Sequence, residues 1–188
     1  MKKFFAIMVA AAALTIGSSA AFAQMMMKDN PMVGGAAMYP SKTIVANAMN
    51  SADHTTLVAA VKAAGLVDTL NSKGPFTVFA PTNDAFAQLP AGTVDMLVKP
   101  ENKAMLTKIL TYHVVAGKYD SKALAKLIKK GHGKARLKTV SGGTLIAMMD
   151  GSNIVLRDEK GGSSTVTVAD VYQSNGVIHV VNTVLMPN

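Results

Sequence analysis

Between Arg136 and Leu185 the chain is a series of short apolar runs separated by glycine-bearing turns, and this punctuation narrows the fold more than any other feature. The runs are 136–140, 144–149, 153–157, 165–168 and 177–185. Between them stand Ser141-Gly142-Gly143, Asp150-Gly151-Ser152, Lys160-Gly161-Gly162 and Ser174-Asn175-Gly176. Such runs are short for helices, and Asp-Gly and Asn-Gly supply the positive φ that tight hairpins need. The expectation is a β meander. Upstream the period becomes helical. Ile44, Val45 and Ala48 suggest a short helix. Leu57, Val58, Val61 and Ala64 share the face of a second one, with Asp53 as its expected N-cap and Gly65 at its end. Gly74-Pro75 breaks the helical region, and 76–80 is a short apolar strand. Thr82 then caps a helix through Phe86 and Leu89, with Asp84 in the first turn, where the helix dipole favours a carboxylate. Another helix over 104–110 leads into Tyr112, His113, Val114 and Val115. Helices first and strands last is an α+β order, without the βαβ repetition of a parallel sheet.

Composition agrees with one packed domain. The chain has 188 residues, 49% hydrophobic and only 16% charged, too apolar for general disorder. It has no cysteine, which excludes disulfides, thiolate metal sites and cysteine nucleophiles. Aromatic residues make up 5% and tryptophan is absent, a poor basis for base stacking or sequence-specific nucleic-acid recognition.

Residues 1–23 have the pattern of a secretory signal peptide. Lys2 and Lys3 precede an apolar run over 4–17, and Ala21-Phe22-Ala23 offers small residues for cleavage after Ala23. The expected product is secreted or periplasmic, begins at Gln24 and keeps no transmembrane segment. The pattern looks bacterial. The formal charge is +8, or +6 without Lys2 and Lys3. Residues 24–40 form a Met- and Gly-rich leader or linker with no helical or strand period, expected to be flexible and to pack partly on the domain. Met25, Met26, Met27, Met32 and Met38 serve either as adaptable apolar filler or as soft ligands for Cu(I).

Catalytic motifs are missing. There is no Gly-x-Ser-x-Gly elbow and no His-Glu-x-x-His. Gly131-His132-Gly133-Lys134 lacks the first glycine and the hydroxyl residue of a phosphate loop, and reads as a solvated turn. His54, His113, His132 and His179 show no ligand spacing. His113 and His179 lie in apolar stretches and read as hydrogen-bonded core residues. No enzyme, cofactor or metal centre is expected from these residues.

The charge is concentrated. Lys118, Lys122, Lys126, Lys129, Lys130, Lys134, Arg136 and Lys138 fall in one stretch whose only acid is Asp120. Ser121 is the expected cap of a helix with Leu124, Leu127 and Ile128 inward. The three- and four-residue spacing then puts Lys122, Lys126, Lys129 and Lys130 on the opposite face. Such a face is either ordinary solvated surface or a dock for anionic polymer such as acidic polysaccharide, lipopolysaccharide phosphate or extracellular nucleic acid.

Three stretches together resemble a fasciclin-like domain. They are Phe76-Thr77-Val78-Phe79-Ala80-Pro81-Thr82-Asn83-Asp84-Ala85-Phe86 with Leu89-Pro90, then Leu110-Thr111-Tyr112-His113-Val114-Val115-Ala116-Gly117, and then Ala169-Asp170-Val171 with Ser174-Asn175-Gly176-Val177-Ile178-His179-Val180-Val181 and Leu185-Met186-Pro187. The resemblance covers 41–187 and is to the small, single-domain exported bacterial members. Each motif also has a reading as a fold determinant. Thr82, Asn83 and Asp84 turn a strand into a capped helix, His113 ties backbone where a helix becomes a strand, and Asn175-Gly176 feeds the last apolar strand, which carries His179.

The resemblance implies an α+β wedge-shaped β-sandwich flanked by helices, and adhesion at cell surfaces or in extracellular matrix. It implies Tyr112, His113 and Asp170 as partner contacts, although Val168-Ala169-Asp170-Val171-Tyr172 lacks the flanking acid of the animal motif. Some relatives carry apolar pigments. The resulting expectation is an exported, non-enzymatic adhesion or envelope-interaction module, docking on anionic polymers through Lys122, Lys126, Lys129 and Lys130. The alternatives are a periplasmic carrier of a carotenoid or lipid and Cu(I) binding by the leader.

Overall fold

A computed structural model describes residues 30–188; the expected signal peptide and Met25, Met26 and Met27 lie outside the described residues. The chain from Pro31 opens with a small hairpin, β1 (Met32–Val33) and β2 (Ala36–Ala37). The leader, read as lacking any strand period, thus contributes strands too short to show one. Its Val33 and Met38 are buried.

Helices follow: α1 (Ile44–Ala48), α2 (Thr55–Ala64) and α3 (Val67–Asn71). The α2 cap is not Asp53. A 3-10 turn, Ala52–His54, enters the helix directly, and the side-chain oxygen of Asn83 accepts from the Thr56 N–H at 3.0 Å while its amide donates to the Ala52 carbonyl at 2.8 Å. Asn83 therefore satisfies a helix terminus from a distant element. Strand β3 (Phe76–Pro81) leads to α4 (Asn83–Ala87), where Thr82 accepts from the Ala85 N–H at 3.2 Å and Asp84 lies in the first turn as expected. Then come α5 (Thr93–Leu97), α6 (Lys103–Tyr112), β4 (Val114–Ala116), α7 (Ser121–Lys130), β5 (Lys134–Lys138), β6 (Thr144–Asp150), β7 (Asn153–Arg157), β8 (Ser163–Gln173) and β9 (Gly176–Val181).

The fold is α+β, as the sequence suggested, with one difference. Seven strands make a sheet of order β4-β3-β9-β8-β7-β6-β5, and β3 pairs with β9 in parallel from Phe76↔Gly176 to Pro81↔Val181. The expectation of no parallel pairing fails at this centre. Both strands are buried almost throughout, whereas β5 alternates strictly between buried and exposed. A continuous apolar run is what a strand covered on both faces needs. The sheet edges come together as a near-barrel: Val115 bridges Thr139, and the Val140 N–H donates to the Val114 carbonyl at 2.8 Å.

Asn175-Gly176 works differently from a hairpin of the positive-φ kind. Neither residue has positive φ. A Cβ on Gly176 would collide with the Phe76 carbonyl oxygen, so glycine is what lets β9 lie against β3. Asn175 accepts from the Ile44 N–H at 3.0 Å and donates to the carbonyls of Leu70 at 2.7 Å and Ser72 at 3.0 Å, tying α1 and α3 to the sheet.

Two apolar clusters fill the molecule. One joins the helices to β3 and β9 through residues such as Leu57, Val61, Phe86, Leu106 and Ile178. The other lies within the near-barrel, where Phe79, Leu124, Leu145, Leu156 and Val181 meet.

Candidate functional site

The basic helix α7 is clamped where it starts. Asp120, not Ser121, is its N-cap, accepting from the Ala123 N–H at 2.8 Å. That N–H is the main influence holding the Asp120 carboxyl below its usual range, with the Tyr172 hydroxyl and the Lys122 charge adding to it. Ser121 is instead the first helical residue. Its N–H and hydroxyl donate to the two carboxylate oxygens of Asp170 at 2.6 and 2.5 Å. Asp170 has φ +61° within the irregular stretch of β8 between Val168 and Val171, a left-handed conformation that aspartate tolerates better than most residues. That irregularity also explains why β8 is longer than the run 165–168: the strand continues past a break in its alternation.

His179 completes the clamp. It is fully buried and stacks on Phe79 with ring centroids 5.7 Å apart. Its Nε2–H donates to the Tyr119 carbonyl at 2.8 Å, and its Nδ1 accepts from the Asp170 N–H at 3.4 Å. These partners require the neutral ring, and burial lowers its pKa accordingly. Thr77 accepts from the Tyr119 N–H at 2.8 Å, and the Lys118 ammonium lies 4.8 Å from the Tyr172 ring centroid. Residues 117–121 are thus held to both β3 and β8.

Beyond the clamp, Leu124 and Ile128 point into the near-barrel, but Leu127 does not: it is 37% exposed. The expected inward trio is a pair, because the i, i+4 stripe is all that one face of this short helix buries. All eight cations from Lys118 to Lys138 are exposed. On β5, Ala135 and Leu137 face inward while Lys134, Arg136 and Lys138 face outward. Between the end of α7 and β5 runs an open groove of about 640 Å³, lined by Leu127, Lys130, Gly131, Lys134, Ala135 and Arg136.

The structure separates the candidate contact residues. Tyr112 and His113 are interior. The Tyr112 hydroxyl donates to the Thr144 carbonyl at 2.8 Å and accepts from the Glu159 N–H at 3.1 Å; burial pushes its pKa up to about 12. His113 Nδ1–H donates to the Ile109 carbonyl at 2.9 Å, and Nε2 accepts from the Leu185 N–H at 3.0 Å; burial pulls its pKa down to about 4. In this fold Tyr112 ties the end of α6 to β6 and the turn after β7, His113 ties it to Leu185, and both rings are buried. Asp170 spends both oxygens on Ser121 and acts on the basic helix. What the sequence missed was this convergence of Asp120, Asp170 and His179 on one helix start, which residues up to 59 positions apart do not advertise.

An apolar cavity of about 40 Å³ lies among Leu57, Val61, Leu70, Val78, Leu110 and His113. A drug-sized ligand needs several hundred Å³, so this space as it stands does not hold a carotenoid. In the leader, Met38 is 2% exposed and Met32 is 61% exposed. Among the described residues no helix is long and apolar enough to cross a membrane.

The Fasciclin domain family model matches residues 52–187. Protein sll1483 of Synechocystis sp. is 45% identical over 164 residues, covering 85% of this chain and 82% of that protein. Immunogenic protein MPB70 of Mycobacterium bovis is 38% identical over 145 residues, covering 74% of this chain and 66% of that protein. Among solved structures, the FAS1 domain pair of the insect cell adhesion molecule Fasciclin I superposes with a TM-score of 0.69 over 77% of this chain and 51% of that one. Its identity is 20%, so this likeness carries the fold alone.

Proposed function

Because this chain belongs to the Fasciclin domain family, we propose that it is an exported, non-enzymatic surface-interaction module of the adhesion kind, and that the basic face of α7 docks it on anionic polymer. One observation carries the docking: eight exposed cations occupy one stretch whose single acid, Asp120, is turned to the Ala123 N–H and the Tyr172 hydroxyl. Lysines on an edge strand also deter strand pairing with other molecules. That role is open to Lys134, Arg136 and Lys138 on β5, alongside contact with a ligand. It does not call for Lys122, Lys126, Lys129 and Lys130 along a helix.

A single exposed ion pair contributes at most about 1 kcal/mol, so binding must come from many contacts at once and must weaken with salt. The clamp at the α7 start supports this reading, since a fixed helix presents its lysines without a further backbone ordering cost. Replacing Lys122, Lys126, Lys129 and Lys130 with Gln is expected to reduce retention on an acidic polysaccharide such as polygalacturonate. Unchanged retention removes the docking role. Export is checked by N-terminal sequencing of protein recovered from its host, expected to start at Gln24.

A further inference from the structure

We propose that the groove at the end of α7 is a binding site for the headgroup of a phosphorylated glycolipid, a ligand with concentrated negative charge beside an apolar stem. The inference rests on the basic-face reading and names what that face takes at one place. Three of the six residues lining the groove are cations, contributed by two elements, and none is acidic. Lys130 comes from the last turn of α7. Lys134 and Arg136 are two residues apart on the outward face of β5, roughly 7 Å along the strand. A phosphomonoester carries close to two charges near neutral pH and three acceptor oxygens. Three cations lining one groove suit that charge density better than they suit the spread single charges of a polyuronate. Arg136 adds a fork that can pair with two phosphate oxygens, while the lysines act as point charges.

Three of the four terminal carbonyls of α7 are met, which reduces the helix terminus's opposition to an anion. The carbonyls of Leu127, Ile128 and Lys129 receive the backbone N–H groups of Gly131 at 2.9 Å, Gly133 at 2.9 Å and His132 at 3.3 Å. Leu127 supplies the second half of the specification. It adds an exposed apolar side chain to the groove beside Gly131 and Ala135, while Leu124 and Ile128 of the same helix are buried. A soluble polysaccharide has little use for that side chain, but the acyl stem of a glycolipid can lie on it.

The test measures binding of the chain from Gln24 onward to phosphatidylcholine vesicles containing lipid A, to vesicles containing the same glycolipid without its phosphates, and to soluble polygalacturonate. Lys134→Gln with Arg136→Gln is expected to weaken binding to the phosphorylated vesicles by about tenfold, and Leu127→Ser by about threefold. Lys122→Gln with Lys126→Gln is expected to leave vesicle binding within about twofold but to lower polygalacturonate retention, which Leu127→Ser does not alter. All five positions are solvent-facing, and circular dichroism verifies that each variant folds. Equal binding to vesicles with and without phosphate overturns the site. So does interchangeability of the helix and groove cations in every arm, or indifference of vesicle binding to Leu127→Ser. Polygalacturonate retention that no lysine variant changes removes the basic-face reading by itself, because the vesicle arms are scored separately.

Discussion

The two apolar clusters share β3 and β9, which alternate between them, and differ in what is packed on each side. At the centre, β3 and β9 are buried nearly end to end, with Phe76 partly exposed at the start of β3. In the meander, β5 and β7 bury two residues each and leave the others partly or fully exposed. The first arrangement spends its sequence on packing and ties itself together with buried polar groups such as Asn175 and His113. The second needs only every other residue for its core, so the remainder is free for surface chemistry. The basic face lies on the meander side for that reason. Its charges ride on the outward positions of β5 and on the uncovered side of α7.

The sharpest way to break the comparison is at the parallel pair. Gly176→Ala drives a Cβ into the Phe76 carbonyl oxygen at a place where backbone faces backbone. The expected loss is about 4 kcal/mol or more by urea unfolding. Gly151→Ala, at φ +59° in a meander turn with open space around it, is expected to lose only about 1 kcal/mol. Comparable losses would contradict the claim that the two regions differ in tolerance.

Acidification is next in size. His113 is neutral in the fold with its pKa at about 4, against 6.5 in the unfolded chain. The unfolded chain therefore takes up its proton first as pH falls. Stability is expected to drop between pH 6.5 and 4, by roughly 3 kcal/mol from this group, and to lose nothing further from it below that window. His54 and His179 are shifted in the same direction by burial and act with the same sign. Unfolding midpoints that do not move across the window would contradict the buried neutral ring. Leu124→Ala, in the near-barrel, is expected to cost about 3 kcal/mol by the same urea measurement.

Asp170→Asn keeps the shape but removes the charge that receives Ser121. A loss of about 1–2 kcal/mol is expected, with faster amide exchange concentrated in the first turn of α7. Exchange that rises equally across β3 and β9 would mean that the clamp is not local. The smallest stability effect belongs to Lys122, Lys126, Lys129 and Lys130 replaced together by Gln. Exposed sites of this kind change stability by at most about 0.5 kcal/mol each, in either direction, and relieving like-charge repulsion offsets part of any loss, so the net change is expected to stay below about 1 kcal/mol.

What could be read from the sequence follows the same division. The run 153–157 coincides with β7, and Thr82 caps its helix as expected, because alternation, turn residues and caps are local signals. The parallel β3–β9 pair was not legible: its partners are 100 positions apart, and a continuous apolar run does not announce its neighbour. Asn83 and Asn175 looked like local turn and cap residues, yet their side chains serve α1, α2 and α3 from a distance. The basic stretch was legible as charge. Its attachment through Asp120, Asp170 and His179 depends on tertiary contact, and so does the exposure of Leu127. Tyr112 and His113 stood out because the resemblance rests partly on them, and in this chain both are buried and hydrogen-bonded in the interior.

The most direct test of the account is the salt dependence of binding to polygalacturonate, measured for the chain from Gln24 onward and for the form with Gln at 122, 126, 129 and 130. A rigid basic face predicts affinity that falls steeply with salt and a clearly shallower slope once the four charges are gone. The same slope for both proteins would contradict it.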